Sequence, residues 1–474
     1  MAALDYEAVG LKCGIEIHQQ LAGKKLFCSC PAEIRKGSPD FRVIRRLRAS
    51  AGEEGRVDRA ALYEQEKQKY FLYHGYNDIT CAVELDEEPP HRVNQEALRT
   101  ALQVARMLNC VIVDEIQVMR KTVIDGSNTS GFQRTMLVGM NGFIEVNNRR
   151  IGIDTVCLEE EACQIIKRTK NYDIYNLSRL GIPLIEIATR PDIRTPQEAK
   201  DVAAKIGMIL RSTGKCRRGI GSIRQDVNLS IRGGGRVEIK GFQELKSIPK
   251  IMEYEVKRQL KLIRQGKKPK DEVRKAEPDF TTSYLRPMPG SDRMYPETDV
   301  PPIIPDLSSV RKVKTIEERV KELVKKHGIS PELAIQVVKQ NIDLDKYTRK
   351  YKSLEPRFIA DTLINAPKEI KARFGKEISV FECVDELFLR ADKGSIPRSA
   401  VFEILVELAH GKKPDYEKYK VMSDDELKKE IRKLVKENPD APINALMGML
   451  MARFRGRVDG RKAMELLNKY KKKD

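Results

Sequence analysis

A proline-rich stretch, MYPETDVPPIIP from Met294 to Pro305, divides this chain into two regimes of pattern. Proline lacks a backbone N–H and fixes φ, so neither a helix interior nor a central strand runs through such a segment. Before it, short alternating runs with turn signals are interleaved with helical stripes. After it, every strong signal is helical. With 474 residues there is chain enough for several cores. The division predicts an α+β fold: a mixed strand and helix body over 1–305, a helical connector over 306–410, and a small helical tail over 411–474.

Local signals place the elements. Asn94 caps a predicted helix with Leu98, Ala101, Leu102, Ala105 and Leu108 on one stripe. Thr195-Pro196-Gln197-Glu198 reads as a capping box with proline at the first helical position. Asp226 to Lys240 reads as a hairpin turning on Gly233, Gly234 and Gly235. Beyond the prolines, Thr315 to Glu318 opens a helix that ends near Gly328, and Ser330-Pro331 opens the next. A helix over Arg398 to His410 stops at Gly411. Ser423 to Glu426 is a further capping box, in a helix that Asn438-Pro439 ends.

Lys and Arg number 88 against 69 Asp and Glu, a formal net charge of +19. Such an excess favours a polyanionic partner, nucleic acid foremost. From Gly411 onward there are 18 Lys and Arg against 11 Asp and Glu, enough for a phosphate-facing surface. No apolar run approaches the ~20 residues that span a bilayer, and MAALDYEAVG carries no secretory signal. A cytoplasmic protein with no membrane partner is expected. The nine cysteines are scattered, as in a reducing compartment. Only Cys28 and Cys30 lie close together. A metal site on them needs two further ligands, and no second close pair follows, so no zinc is expected.

Most catalytic signatures are missing: there is no P-loop, no H-E-x-x-H, no G-x-S-x-G elbow and no kinase signature. What recurs is a carboxylate between two apolar, mostly β-branched residues: Ile15-Glu16-Ile17 before His18, Ile185-Glu186-Ile187, and Val237-Glu238-Ile239 before Lys240. Side chains alternate along a strand, so Glu16 shares a face with His18, and Glu238 with Lys240. Such a face suits a hard cation such as Mg2+. An ordinary amphipathic strand with its polar face in water has the same pattern, as Ile144-Glu145-Val146 and Val83-Glu84-Leu85 illustrate. Leu158-Glu159-Glu160-Glu161 adds three consecutive acids, which need either solvent or a cation. Lys121 to Thr135, KTVIDGSNTSGFQRT, reads as a polar loop able to cover a phosphate through backbone N–H groups and two cations, or simply to lie on the surface.

Taken in order, these segments resemble the GatB/GatE family of tRNA-dependent amidotransferase subunits. The matching stretches include GIEIHQQL, KLFCSC, VELDEEPP, SGFQRT, LEEEA, RLGIPLIEIATRPDIRTPQEA, IRQDVNLSI, VEIKGFQEL and RPMPGSDRMYPETDVPP, followed by ALMGMLMARFRGRVDGRKAMELL in the tail. The likeness spans essentially the whole chain. It is closer to the archaeal E type than to the bacterial B type. B-type proteins usually carry a second cysteine pair that completes a zinc site, and none is present here. The RASAGEEGRVDRAA and YPETD stretches are of the E type. E-type proteins usually carry an inserted domain resembling one in aspartyl-tRNA synthetases. Here only about thirty residues separate Lys257 from Arg286, too few for a domain.

The resemblance implies a cradle domain that binds ATP and Mg2+ and phosphorylates the γ-carboxylate of glutamate mischarged on tRNA(Gln). Ammonia from an asparaginase-like partner of the D type, two copies of each protein being expected, then gives Gln-tRNA(Gln). It implies a metal cluster of His18 with Glu16, Glu159, Glu160 and Glu186, of which His18, Glu160 and Glu186 are expected as direct ligands. Glu16, Glu186 and Lys240 would be catalytic. Lys121, Gly131, Gln133 and Arg134 would cover the nucleotide. Arg453, Arg455, Arg457, Arg461 and Lys462 would meet the tRNA body. Two other readings remain at this point: a B-type protein working with an amidase, and a non-catalytic tRNA-binding scaffold.

Overall fold

The computed structural model describes residues 4–49, 51, 55–242, 244–288, 294–308, 310, 313–454, 457–458 and 460–471, the side chains of 59, 60 and 461 excepted. The chain falls into two compact units, Met1–Thr315 and Ile316–Asp474.

In the first unit the strands run β1 (Lys12–Gln20), β2 (Phe41–Arg45), β3 (Tyr70–Gly75), β4 (Val111–Ile112), β5 (Val118–Thr122), β6 (Phe132–Val146), β7 (Arg149–Glu160) and β8 (Gln164–Arg168). They continue as β9 (Tyr172–Asn176), β10 (Pro183–Thr189), β11 (Ile223–Ser230), β12 (Val237–Phe242), β13 (Glu272–Ala276), β14 (Thr282–Pro287) and β15 (Met294–Pro296). Its helices are α1 (Arg59–Gln65), α2 (Gln95–Met107), α3 (Pro196–Ser212) and α4 (Ile248–Arg264). The large sheet has the order β14-β13-β12-β11-β1-β10-β7-β6-β5-β15, with β4 paired to β6; a smaller sheet has the order β2-β3-β9-β8.

The centre of the large sheet, β11-β1-β10-β7-β6, is antiparallel throughout. Antiparallel strands sort their residues cleanly between two faces. Ile15, Ile17, Ile185, Ile187, Val156, Leu158, Val227 and Ile239 are buried on one face, in the same core as residues of α2, α3 and α4. Each such side chain contributes roughly 1.5–3 kcal/mol on burial. The carboxylates between them are thereby turned to the opposite face.

The capping predictions hold in most details. The Asn94 side chain accepts from Glu96 N and Ala97 N at the start of α2. Thr195 accepts from Glu198 N at the start of α3. Its expected capping box is incomplete, because the Glu198 carboxylate accepts instead from Arg194 N at 2.8 Å and from Arg149. The predicted hairpin is β11 paired antiparallel with β12. The long β6–β7 hairpin turns on Asn147 and Asn148, both with positive φ (50° and 62°), which suits the twist of paired strands. Gly142 lets the end of α2 close on β6: a Cβ there would lie 2.5 Å from the Leu108 carbonyl oxygen.

The second unit is helical: α5 (Ile316–His327), α6 (Pro331–Lys339), α7 (Leu344–Lys350), α8 (Pro356–Phe374), α9 (Val380–Asp392), α10 (Arg398–Ala409), α11 (Asp424–Glu437), α12 (Ile443–Arg453) and α13 (Gly460–Lys471). It holds two separate hydrophobic cores, one formed between Ile329 and Tyr419 and one between Met422 and Leu467. Ser423 forms the complete capping box: it accepts from Glu426 N while the Glu426 carboxylate accepts from Ser423 N. Ser423→Ala is expected to cost about 1 kcal/mol of tail stability, read from urea unfolding of the full chain. Among the described residues, no helix is long and apolar enough to cross a membrane.

Candidate active site

On the polar face of the large sheet, strand register sets the neighbours. His18 on β1 lies directly opposite Glu186 on β10, and Glu16 opposite Asp226 on β11. Glu159, near the end of β7, lies opposite Thr135 on β6. His18 Nε2 is 3.2 Å from Glu186 Oε2. Ligand atoms of Glu16, His18 and Glu186 all lie within 4.8 Å of one another. Lys121 reaches in from β5, donating to Glu159 Oε1 at 2.5 Å, with its Nζ 3.7 Å from Glu186 Oε2. Gln133 donates to Glu159 Oε2 at 3.1 Å and to the Glu160 carbonyl at 2.8 Å.

A second group adjoins the first through Glu16. Ligand atoms of Glu16, Asp226 and Glu238 are also within 4.8 Å of one another. Lys240 sits among them, donating to Asp226 Oδ2 at 2.7 Å and paired with Glu238. Asn228 donates to Glu16 Oε1 at 2.9 Å.

The electrostatics show a surplus of negative charge. Burial and the neighbouring Glu186 push the Glu159 carboxyl above its ordinary range. Burial, then Glu186, does the same to Glu16. Burial also opposes ionisation of Glu186, but Lys121 and His18 outweigh it and hold this carboxyl well below the usual range. Burial lowers His18, yet the bond from Glu186 and the charges of Glu186, Asp226 and Glu159 leave it raised. Lys121 and Lys240, even with His18, do not balance the five carboxylates of Glu16, Glu159, Glu186, Asp226 and Glu238. Oxygen donors with one imidazole, short of positive charge, fit a hard divalent cation.

A family model described as the GatB/GatE catalytic domain matches residues 11–311. The chain belongs to the GatB/GatE family. It is 35% identical to the E subunit of the glutamyl-tRNA(Gln) amidotransferase of Methanocaldococcus jannaschii, covering 98% of this chain and 99% of that one. It is 37% identical to the E subunit of the same enzyme from Archaeoglobus fulgidus, covering 98% of both. The corresponding protein of Pyrobaculum arsenaticum is 35% identical over 96% of this chain and 98% of its own length. The first of these alignments runs over 624 positions against 474 residues here, so about 150 positions or more have no counterpart in this chain. This agrees with the missing insertion.

Within this GatB/GatE fold, the sequence-predicted residues separate into two groups. Glu16, His18, Glu159, Glu186, Lys121 and Gln133 come together. Glu160 does not. Its carboxylate accepts from Arg134 N at 3.0 Å and lies 3.3 Å from Arg134 Nη1. The reason is strand alternation: Glu159 and Glu161 share one face and Glu160 takes the other. Arg134 goes with it. It lies opposite Arg120 on β5, while Gln133 lies opposite Lys121. Arg134 Nε donates to Glu297 Oε2 at 2.8 Å, and Arg120 donates to Glu297 Oε1 at 2.5 Å. Arg134 is thus buried between two carboxylates.

The three acids Glu159, Glu160 and Glu161 are only 1%, 6% and 2% exposed, so they form a buried strand end rather than a solvated turn. Each has its own cation; Glu161 accepts from Arg224 at 2.9 Å. The expected loop from Lys121 to Thr135 is shorter than its composition suggests, because Lys121 and Arg134 lie in paired strands. Only the stretch between β5 and β6 is loop. Gly131 closes it with φ 79°, its carbonyl accepting from Val123 N at 2.8 Å.

Glu297, within the YPETD motif, is absent from the sequence-based site, and its complete burial shows it to be the fixed point of the arginine pair. A carboxylate inside a proline-rich joint is the one signal that points to it. Val83-Glu84-Leu85 is a turn rather than a strand. Glu84 gathers with Cys28, Cys30 and Cys81: one ligand atom of each lies within 4.8 Å of all the others.

In the tail, Arg453 ends α12, Arg457 follows it, and Arg461 and Lys462 begin α13. Arg455 and the side chain of Arg461 lie outside the described residues. Arg453 is 3.9 Å from both Glu430 and Glu437, and Lys462 pairs with Asp424. Exposed pairs of this kind are worth about 0–1 kcal/mol and yield readily to a phosphate.

Proposed function

We propose that this chain is the tRNA-dependent kinase and transamidase component of a glutamyl-tRNA(Gln) amidotransferase. The single observation that carries the reading is the charge-deficient cluster of Glu16, His18, Glu159 and Glu186 on the polar sheet face of a GatB/GatE catalytic domain. The name of its relatives supplies the substrate, glutamate esterified to tRNA(Gln).

The chemistry asks little of a protein nucleophile. An oxygen of the substrate's γ-carboxylate attacks the γ-phosphorus of ATP, the bond to the β–γ bridging oxygen breaks, and ADP leaves. Ammonia then adds to the acyl-phosphate carbon, a proton is lost and phosphate departs, leaving the amide. The protein's task is alignment and charge compensation. His18, Glu16 and Glu186 would hold Mg2+, with Glu159 beside them. Bound there, Mg2+ supplies charge neutralisation for the γ-phosphoryl group. Lys121, held between Glu159 and Glu186, presents an ammonium to the same space. Gln133 fixes Glu159. Gly131 shapes the turn before them. Lys240 stands with Asp226 and Glu238 on the same face, suited to orienting the substrate carboxylate or the incoming amine.

Arg134 and Glu160 support the site from the other side of the strands and take no part in holding nucleotide or metal. The division into 1–305, 306–410 and 411–474 assigns chemistry to the first part and tRNA-body contacts to the third. The partner in this reading is an asparaginase-like protein of the D type that supplies ammonia, in a complex with two copies of each protein in the cytoplasm.

The decisive experiment measures phosphate release from ATP by this chain with its ammonia-supplying partner. Release is expected only with Glu-tRNA(Gln) and Mg2+ present. Release without tRNA, or none at all with Gln-tRNA(Gln) still formed, would overturn the reading. For the tail, Arg453→Ala with Lys462→Ala is expected to weaken tRNA binding and flatten its salt dependence by roughly one to two phosphate contacts. Filter binding across a salt series measures this.

A further inference from the structure

We propose that a cavity at the carboxyl ends of β12 and β13 holds the unpaired 3′-terminal nucleotide of the tRNA, its base on Phe280 and its phosphate among three lysines. The proposal rests on the tRNA reading above and extends it to a part of the sheet outside the metal cluster.

β12, α4 and β13 form a crossover unit. β12 and β13 pair in parallel, the one parallel pair among the described strands of the large sheet, and α4 lies between them in the chain. In such units, phosphate-bearing ligands sit outside the carboxyl ends of the strands, near the start of the helix. Here that space is a cavity of about 640 Å3, a size typical of small-ligand sites. Phe242, Ile251 and Phe280 give it apolar surface, and Lys246, Lys250 and Lys275 bring three ammonium groups. Ser247 starts α4 without capping it; its hydroxyl donates instead to the Glu244 carbonyl at 2.7 Å. An aromatic ring beside clustered cations matches a nucleotide, a flat base joined to an anion. The two lining carboxylates, Glu244 and Glu277, are acceptors for ribose hydroxyls.

Phe280 is the residue that local geometry does not explain. The β13–β14 hairpin closes with Glu277 N donating to the Thr281 carbonyl at 2.9 Å and Phe280 N to the Glu277 carbonyl at 3.0 Å. A three-residue loop of this kind puts its last residue in the left-handed region, where glycine is usual. Phe280 stands there with φ 65°. A bulky residue in that region is strained, and burial does not offset the strain, since Phe280 is 40% exposed. Lys250 Nζ lies 4.4 Å from the centre of its ring. A base stacked on the ring therefore has an ammonium within reach of its phosphate.

The cavity also stands on the side where the substrate is needed. Gly241 lines it directly after Lys240, and Lys275 lies across from Lys240 in the strand pairing. Lys121 and Gln133 lie on β5 and β6, to one side of the His18–Glu186 pair on β1 and β10; β12 and β13 lie to the other side. ATP from the first side and the aminoacyl end from the second would meet at the metal cluster. β12 is two strands from β1, about 10 Å, a gap that ribose and an esterified glutamate span together.

Binding of uncharged tRNA(Gln) to the full chain is measured by filter binding without ATP, using intact tRNA and tRNA that lacks its terminal adenosine. The unmutated chain should bind the truncated tRNA at least about 5-fold more weakly. Phe280→Gly should weaken the intact tRNA by a similar factor and make no difference to the truncated one. Its thermal midpoint should stay or rise, because glycine suits this φ; a merely structural ring would lower it. Lys250→Gln should reduce the salt dependence by about one phosphate contact. In phosphate release, Phe280→Gly should raise KM for Glu-tRNA(Gln) and leave KM for ATP unchanged. Equal affinity of the unmutated chain for both tRNAs, or an equal loss for both in Phe280→Gly, would overturn the proposal. So would a rise in KM for ATP alone, which would give the cavity to ATP. If the unmutated chain shows no tRNA-dependent phosphate release, the reading of its activity fails, while the difference between the two tRNAs still decides the cavity.

Discussion

Glu186→Gln is expected to abolish Glu-tRNA(Gln)-dependent ATP hydrolysis, with a loss of at least about 10²-fold, while the chain stays folded and still binds tRNA. The argument is local. Glu186 is the one carboxylate that touches every part of the cluster: it pairs with His18, lies 3.7 Å from Lys121, and pushes up the Glu159 and Glu16 carboxyls. It is also the group held most firmly ionised, against its burial, by Lys121 and His18. The amide keeps shape and can still meet His18, so packing between β1 and β10 is preserved. What disappears is one negative charge and one oxygen donor where a divalent cation and a phosphoryl group are to be held. Relief of repulsion on Glu159 and Glu16 balances the lost pair with Lys121, so the thermal midpoint is expected to move little. Phosphate release, tRNA binding and circular dichroism, measured on one preparation, separate the effects. Undiminished hydrolysis would place phosphoryl transfer elsewhere.

The second large effect is on stability. Arg134→Met should cost about 3–5 kcal/mol, because it leaves buried carboxylates without their partner. Methionine keeps most of the aliphatic volume, so the loss is one of charge and hydrogen bonds rather than of packing. Glu297 retains Arg120 at 2.5 Å, but Glu160 has Arg134 as its ion-pair partner and keeps only the backbone N–H bond. Chemical unfolding of the full chain reads the loss. The same variant distinguishes two roles for this arginine. If it braces the strand end, KM for ATP changes little in the protein that remains folded. A large rise in KM with unchanged stability would restore it to the nucleotide site.

The alternation Ile15-Glu16-Ile17-His18 and Ile185-Glu186-Ile187 is a period-two pattern, and in antiparallel strands that pattern alone sends the isoleucines to the core and the polar groups to the other side. Helix starts at Asn94, Thr195, Ser330 and Ser423 are equally legible, since a cap is a contact between residues three apart. The acid run LEEEA is not legible in the same way. Parity says that Glu159 and Glu161 share a face. It does not say which face meets His18, because that depends on register with β10. Polar composition overstates the loop before β6, since strand pairing between Lys121 and Gln133 outweighs it.

Short-range pattern is therefore enough for the polar sheet face, the helix caps, the break at the prolines and, through an ordered set of motifs, the family. Long-range packing sets which acid stands beside His18, spends Arg134 on Glu160 and Glu297, and closes Cys81 and Glu84 on Cys28 and Cys30. Each of these depends on the approach of segments far apart in the chain. Such an approach is fixed by the packing of the whole sheet and its helices, and no local spacing records it.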